Sequence, residues 1–225
     1  MTSVVIPEEN PKDSRKENFN RQQHVVVKGI LDPLLVKFLE SYYRQILGSG
    51  GTHFRRDGTS LNGYGEACAD VALYTTREKV EAATGLELNP GFSFVRLYKK
   101  GEKLRRHIDR GANEVNCTIQ IYASKPWPLG VDVRGKDIII DQECGDALIY
   151  KGLEIPHWRE KYEGDEHLQL ILAYVIKDGQ HANCSFDGKG GPVYAPGAEY
   201  ETILTKLKRA GAQVKRKLRG QEPIP

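Results

Sequence analysis

Sulfur is scarce in this chain of 225 residues, which has four cysteines and one methionine. Cys68, Cys117, Cys144 and Cys184 lie far apart and form no C-x-x-C pair. Their spacing argues against a zinc ribbon or a dithiol redox motif, and for isolated reduced thiols in an intracellular protein. No apolar run is long enough to cross a bilayer. The opening MTSVVIPEENPKDSRKENFNRQQ has neither an apolar h-region nor a small-residue cleavage site, so no secretory signal is read there. Excess charge is also lacking: a net +3 is too small to attract nucleic acid on its own. A cytoplasmic protein with no membrane or nucleic-acid partner is the expectation. What remains, 39% hydrophobic and 28% charged, is the composition of a globular domain able to bury a substantial core.

Three regions are expected: a flexible tail over 1–23, a domain over 24–195, and a basic helix and tail over 196–225. In the last, Tyr200, Ile203, Leu204, Leu207, Ala210 and Val214 recur at helical spacing, with Lys and Arg on the other faces. That helix either packs with a solvated charged face or meets an anionic partner. His24 to Lys28 reads as a short strand. Asp32 then caps a helix with Pro33 in its first turn, whose apolar face is Leu34, Leu35, Phe38, Leu39 and Tyr42; Gly48 ends it. From Thr52 to Leu73 no period is visible, which predicts an irregular segment: a border of a functional cleft or an idle surface loop. Thr75 to Glu78 matches a capping box for a helix ending at Gly85.

Downstream, short alternating runs are separated by Gly and Asp turns. Phe92, Phe94, Arg96 and Tyr98 share one face of a strand, and Ser93, Val95 and Leu97 the other. Asn116 to Ala123 alternates likewise, placing Thr118, Gln120 and Tyr122 opposite Cys117, Ile119 and Ile121. Further strands are expected over 132–140 around Gly135, from Ala147 to Tyr150, and from Leu168 to Ile176. The pattern predicts a mainly β, α+β protein: a β-sandwich or jelly roll with the early helices packed outside.

One dipeptide spacing carries chemistry. His107-Ile-Asp109 on a strand would aim an imidazole and a carboxylate into one space. A second histidine, His157, follows the turn Gly145-Asp146 and the strand Ala147–Tyr150, where a jelly roll returns beside the earlier strand. Two histidines and one carboxylate on one face of an ion form the facial triad of non-haem Fe(II) oxygenases, leaving the opposite positions open. The same donors also suit catalytic zinc in a hydrolase, although no carboxylate base stands out beside them and Glu114 and Glu160 are the open candidates. A third reading is a metal-stabilised binding module with no catalysis.

At these residues the chain resembles a known family. Tyr98-Lys-Lys-Gly101, five residues, then His107-Ile-Asp109 is similar to the Y-x-x-G-x₅-H-x-D signature of the prolyl 4-hydroxylase branch of Fe(II)/2-oxoglutarate-dependent dioxygenases. Gly145-Asp146-Ala-Leu-Ile-Tyr and Pro156-His157 resemble that family's later turns and distal histidine. The resemblance runs from about Pro90 to Val175. It implies a double-stranded β-helix core, with His107, Asp109 and His157 holding Fe(II). It also implies 2-oxoglutarate and O₂ as co-substrates, succinate and CO₂ as products, and ascorbate as a candidate reductant. The substrate implied is a prolyl or other residue of a peptide or protein, with a free amino acid or small metabolite as the alternative; the oligomeric state is open. An aspartate ligand leaves no halide position, so the resemblance implies hydroxylation rather than halogenation.

Family members place a Lys or Arg for the distal carboxylate of 2-oxoglutarate roughly ten residues after the distal histidine. Here His167 stands at that place, followed by Leu168 and Gln169. The anchor is then His167, Arg159 or Arg96. The preferred expectation is His167 assisted by Tyr122, with Tyr98 also touching the co-substrate and Gln169 beside it. Arg110 and Glu114 bracket the turn after the H-x-D, either as an ion pair or as substrate contacts. Trp158, beside the last ligand, either walls the substrate pocket or packs.

Overall fold

The structure is a computed structural model that describes residues 11–48, 54–57 and 59–188; for 48, 54–57 and 188 the backbone alone is described. The expected basic helix over 196–225, and residues 1–10 of the expected tail, lie outside the described residues. Among the described residues no helix is long and apolar enough to cross a membrane.

The chain order is α1 (Pro11–Gln22), β1 (His24–Val27), α2 (Pro33–Gly48), β2 (Phe54–Asp57), β3 (Ser60–Tyr64) and α3 (Ala67–Thr84). Next come β4 (Leu88–Lys99), β5 (Leu104–His107), β6 (Val115–Ala123), β7 (Leu129–Val133) and β8 (Lys136–Ile140). The last strands are β9 (Ala147–Tyr150), β10 (His157–Arg159) and β11 (Glu166–Ile176). They make two antiparallel sheets: a seven-stranded one in the order β1-β9-β6-β11-β4-β3-β2, and a four-stranded one in the order β5-β10-β7-β8. This is the expected mainly β jelly roll with flanking helices.

The alternation read from β4 is what builds the layers. Val95 and Leu97 join Ile119, Leu170, Leu172 and Tyr174 on one face of the large sheet, where they bury α2 and α3. The opposite face meets the small sheet through Leu129, Val131, Ile140, Leu148, Tyr150 and Ile155. Between the sheets, Phe92, Phe94, Arg96 and Tyr98 line an open cavity of about 370 Å³. The helices therefore stabilise the large sheet from behind, and the space between the sheets is left for a ligand.

Four expectations need correction. Residues 11–22 are a helix, not a tail; its buried side chain is Phe19, 2% exposed and part of the main core. A single aromatic anchor leaves no periodic trace in a polar sequence. The stretch from Thr52 to Leu73 is not irregular throughout, because it holds the β2–β3 hairpin and the start of α3. That helix begins eight residues before Thr75, capped by Glu66. The Glu66 carboxylate accepts from the backbone N–H groups of Cys68 and Ala69 and from the hydroxyls of Tyr42 and Tyr43. Thr75, read as a cap, lies inside the helix and bonds back to the carbonyl of Val71 at 2.9 Å. Finally, α2 is capped by Asp32 as expected, but it buries Val36, Leu39 and Tyr43 and leaves Leu34 and Phe38 exposed.

Phe19→Ala removes the one side chain by which α1 enters the core, and should lower the unfolding free energy by about 3 kcal/mol. Denaturant unfolding checks this; a midpoint unchanged from the parent would mean that α1 contributes nothing to the fold.

Candidate metal centre

Two short strands of the small sheet bring the histidines together. β5 and β10 pair antiparallel with His107 directly opposite His157, so both side chains project from the same face. Their ring centroids are 4.3 Å apart. His107 Nδ1 is 2.8 Å from the carbonyl of Arg105, and His157 Nδ1 is 3.1 Å from the carbonyl of Ile155. A carbonyl only accepts, so each Nδ1 carries a proton, and in the neutral ring each Nε2 presents its lone pair to the site. Burial, opposed by the nearby Asp109 charge, lowers the His157 pKa and favours the neutral, metal-binding imidazole.

Asp109 lies two residues beyond the end of β5, rather than within the strand as expected. Its backbone N–H donates to the carbonyl of Gly152 at 2.9 Å, and this bond turns the carboxylate inward after the strand has ended. Asp109 Oδ1 then lies 3.8 Å from His107 Nε2 and 3.9 Å from His157 Nε2. One ligand atom from each of the three residues falls within 4.8 Å of the others. Two imidazoles and one carboxylate, with cavity space on the far side, are a donor set suited to a divalent ion. Gly152 is required here, since a Cβ on it would sit 2.2 Å from the Asn113 carbonyl and 2.7 Å from Asp109 Oδ2.

The same cavity is lined by Arg159, two residues after His157 on β10. Arg159 is 4% exposed, and no carboxylate pairs with it among the described residues. Its guanidinium donates to the Trp127 carbonyl, and at 3.4 Å to Gln142 Oε1 and Gln169 Oε1. Burial lowers its pKa to about 10, so it stays charged at neutral pH. A buried cation held only by neutral acceptors is costly, and an anionic ligand would offset that cost. Tyr98 and Thr118 line the cavity near it. Burial raises the Tyr98 pKa, so its phenol remains a donor.

His167 and Tyr122 are not placed as expected. His167 is fully buried against the rings of Tyr98, Trp127 and Tyr162 and does not line the cavity. Its Nε2 is 2.6 Å from Gln169 Oε1, and burial drives its pKa down to about 3, so it is neutral. Gln169 also donates to Thr118 Oγ1 at 2.7 Å, which makes it a support for the cavity wall rather than a part of it. Tyr122 faces the helices. Leu168 pairs with Tyr122 but Gln169 with Gln120, so Ile121 is an extra residue in β6 that reverses the face of the residues after it. Arg44 covers the Tyr122 ring there at 4.3 Å.

The candidate substrate residues divide. Arg110 stands at the cavity mouth, 4.8 Å over the Phe92 ring, and donates to the Tyr64 hydroxyl at 2.9 Å. Glu114 forms no ion pair with it; its carboxylate accepts the backbone N–H of Ile176 at 2.8 Å, locking the end of β11. Trp158 alternates with His157 and Arg159 and so points out of the cavity, lying over Gly130 with Arg106 at 4.2 Å from its ring. Arg96 does line the cavity, over the Tyr98 ring at 4.5 Å and bonded to Ser60 Oγ. Sequence reasoning missed Asn116, Tyr150 and Tyr64, which also line it. Asn116 was legible, because it begins the inward register of Thr118. Tyr64 lay hidden in the stretch read as irregular.

No protein-family model matches the chain, and no curated protein matches it. Solved structures do. A prolyl-4-hydroxylase of Pseudomonas putida is 18% identical, with a TM-score of 0.57 over 74% of this chain and 100% of that one. SnoN, a non-heme alpha-ketoglutarate-dependent epimerase from nogalamycin biosynthesis, is 13% identical, with a TM-score of 0.63 over 85% of this chain and 96% of that one. HygX from Streptomyces hygroscopicus, solved with nickel and 2-oxoglutarate bound, is 10% identical, with a TM-score of 0.58 over 78% and 89%. At these identities the likeness is one of fold: the chain has the fold of 2-oxoglutarate/Fe(II) oxygenases.

Titration with Ni(II) checks the donor set. The parent should bind one ion, and His107→Ala, Asp109→Ala and His157→Ala should each abolish binding, while Gly152→Ala should weaken it about 10- to 100-fold by displacing Asp109. Binding that survives all three ligand substitutions would place the ion elsewhere.

Proposed function

We propose that this protein is an Fe(II)- and 2-oxoglutarate-dependent dioxygenase that hydroxylates a C–H bond on a prolyl or other residue of a peptide. The observation that carries this reading is the buried, carboxylate-free Arg159 in the same cavity as the His107, Asp109 and His157 donors. A zinc hydrolase or a binding module has no evident use for that cation, whereas a dicarboxylate co-substrate needs both features.

When bound by these three residues, Fe(II) supplies the chemistry that couples decarboxylation of 2-oxoglutarate by O₂, giving succinate and CO₂, to insertion of one oxygen atom into the substrate C–H bond. The chain's own groups do the rest. Arg159 neutralises the distal carboxylate, which the buried setting makes a strong interaction. The Tyr98 phenol and the Thr118 hydroxyl are the donors at hand to share that carboxylate. Gln142, Gln169 and the Trp127 carbonyl hold the guanidinium in place, and His167, neutral at the position where the resembling family carries a cation, holds Gln169. Arg159 thereby replaces the expected His167–Tyr122 anchor.

At the mouth, the Tyr64 and Phe92 rings stack at 4.9 Å beside Phe94, and Arg110 covers them. This apolar shelf with one cation at its edge fits a small ring or aliphatic side chain next to a carbonyl-rich backbone. The fold likeness to a prolyl-4-hydroxylase supports a peptide substrate. The likeness to the epimerase SnoN from nogalamycin biosynthesis supports the same site acting on a small molecule, as the second reading.

Anaerobic addition of 2-oxoglutarate to the Fe(II)-loaded protein should produce the visible charge-transfer band of the chelate. Arg159→Leu should raise the Kd for 2-oxoglutarate about 100-fold, the size expected on removing one partner of a buried charge pair. The Kd for 2-oxobutyrate, which has no distal carboxylate, should stay within a few-fold. A protein that binds Fe(II) but gives no band with either acid would contradict the proposal.

A further inference from the structure

The oxygen of Asp109 that does not face the histidines is enclosed by two buried side chains. Asn116, 3% exposed on β6, lies 2.9 Å through Nδ2 from Asp109 Oδ2 and 2.9 Å from the Tyr150 hydroxyl. A carboxylate only accepts, so the amide nitrogen must face it; Asn116 Oδ1 is left buried with no partner among the described residues. Tyr150, on the neighbouring β9, is paired directly with Asn116 in the sheet register. Its hydroxyl accepts from Asn116, and its own proton has two destinations: Asp109 Oδ2 at 3.5 Å and His157 Nε2 at 3.2 Å. An ion on His157 Nε2 occupies that lone pair. The phenol proton is then left with Asp109 Oδ2 alone. A phenol keeps its proton at neutral pH, so the proton is there to donate.

We infer that Asn116 and Tyr150 are a positioning pair that holds Asp109 Oδ2 with two hydrogen bonds and so restricts the carboxylate to one-oxygen coordination through Oδ1. The pair sits on interior strands of the large sheet, while the metal donors sit on the small sheet and the loop after β5. It therefore ties the carboxylate to the opposite wall of the cavity. Without it, Asp109 can rotate and offer both oxygens to the ion, which fills a coordination position that a chelating co-substrate needs. The last consequence rests on the proposed function; the coordination mode does not.

The test uses Co(II), whose visible absorption reports coordination number, in the full-length protein carrying Asn116→Leu, Tyr150→Phe or both. Each variant should shift the cobalt spectrum and weaken Co(II) about 10- to 100-fold. The double variant should weaken it by less than the product of the two single effects, because both act on one oxygen. At saturating Co(II), the Kd for 2-oxoglutarate should rise further in the variants. Thermal unfolding of the metal-free proteins monitors folding, and Tyr150→Phe, which keeps the ring in place, carries the test if Asn116→Leu does not fold. Cobalt spectra and affinities equal to the parent's in Tyr150→Phe would overturn the inference. Absence of any response to 2-oxoglutarate in the parent would instead overturn the functional reading, leaving the coordination mode to be judged on cobalt alone.

Discussion

The site depends on one strand pairing. β5 and β10 are short, and their register places His107 opposite His157. A slip of one residue would turn one imidazole out to solvent, because side chains alternate with a period of two. The barriers to that slip lie on both sides of the pair. Arg159, the next inward residue on β10, is fixed in the interior by the Trp127 carbonyl and two glutamine oxygens. Trp158, the outward one, occupies the space above Gly130, where a Cβ would come within 2.4 Å of its ring. The segment His157-Trp158-Arg159 is thus pinned in both directions, and the metal donors inherit that precision.

The electrostatic design depends on the same pinning. The cavity holds a carboxylate and two imidazoles at the donor end, and on its wall a guanidinium with no carboxylate partner among the described residues. Each part is unfavourable alone: Arg159 is desolvated, and Asp109 Oδ1 faces the two histidine Nε2 atoms with no donor of its own. A cation at one end and an anion on the other group would satisfy both, so the cavity is poised for ligands of these two charges. Stability is given up for pre-organisation, a usual arrangement for binding sites.

Much of this was legible in the sequence, and the failures have local causes. The alternation Phe92, Phe94, Arg96, Tyr98 named one wall of the cavity, and the H-x-D with the later His157 named the donors. Asp109 lies past its strand because the carbonyl of Gly152, not a ladder partner, takes its N–H. Tyr122 points away from the cavity because a single extra residue, Ile121, reverses the pleat, and nothing in an apolar run marks a bulge. His167 occupies a place along the chain that suits a cation, but full burial among three aromatic rings keeps it neutral. The start of α3 is capped by a glutamate held by two tyrosines from α2, a tertiary arrangement with no local signature.

The most direct measurement is a crystal structure of the protein grown without oxygen in the presence of Mn(II) and 2-oxoglutarate. The account predicts one ion on His107 Nε2, His157 Nε2 and a single oxygen of Asp109, with the keto acid end of 2-oxoglutarate chelating it and the far carboxylate on the Arg159 guanidinium. An ion bound away from these three residues, or a far carboxylate seated on any group other than Arg159, would contradict it.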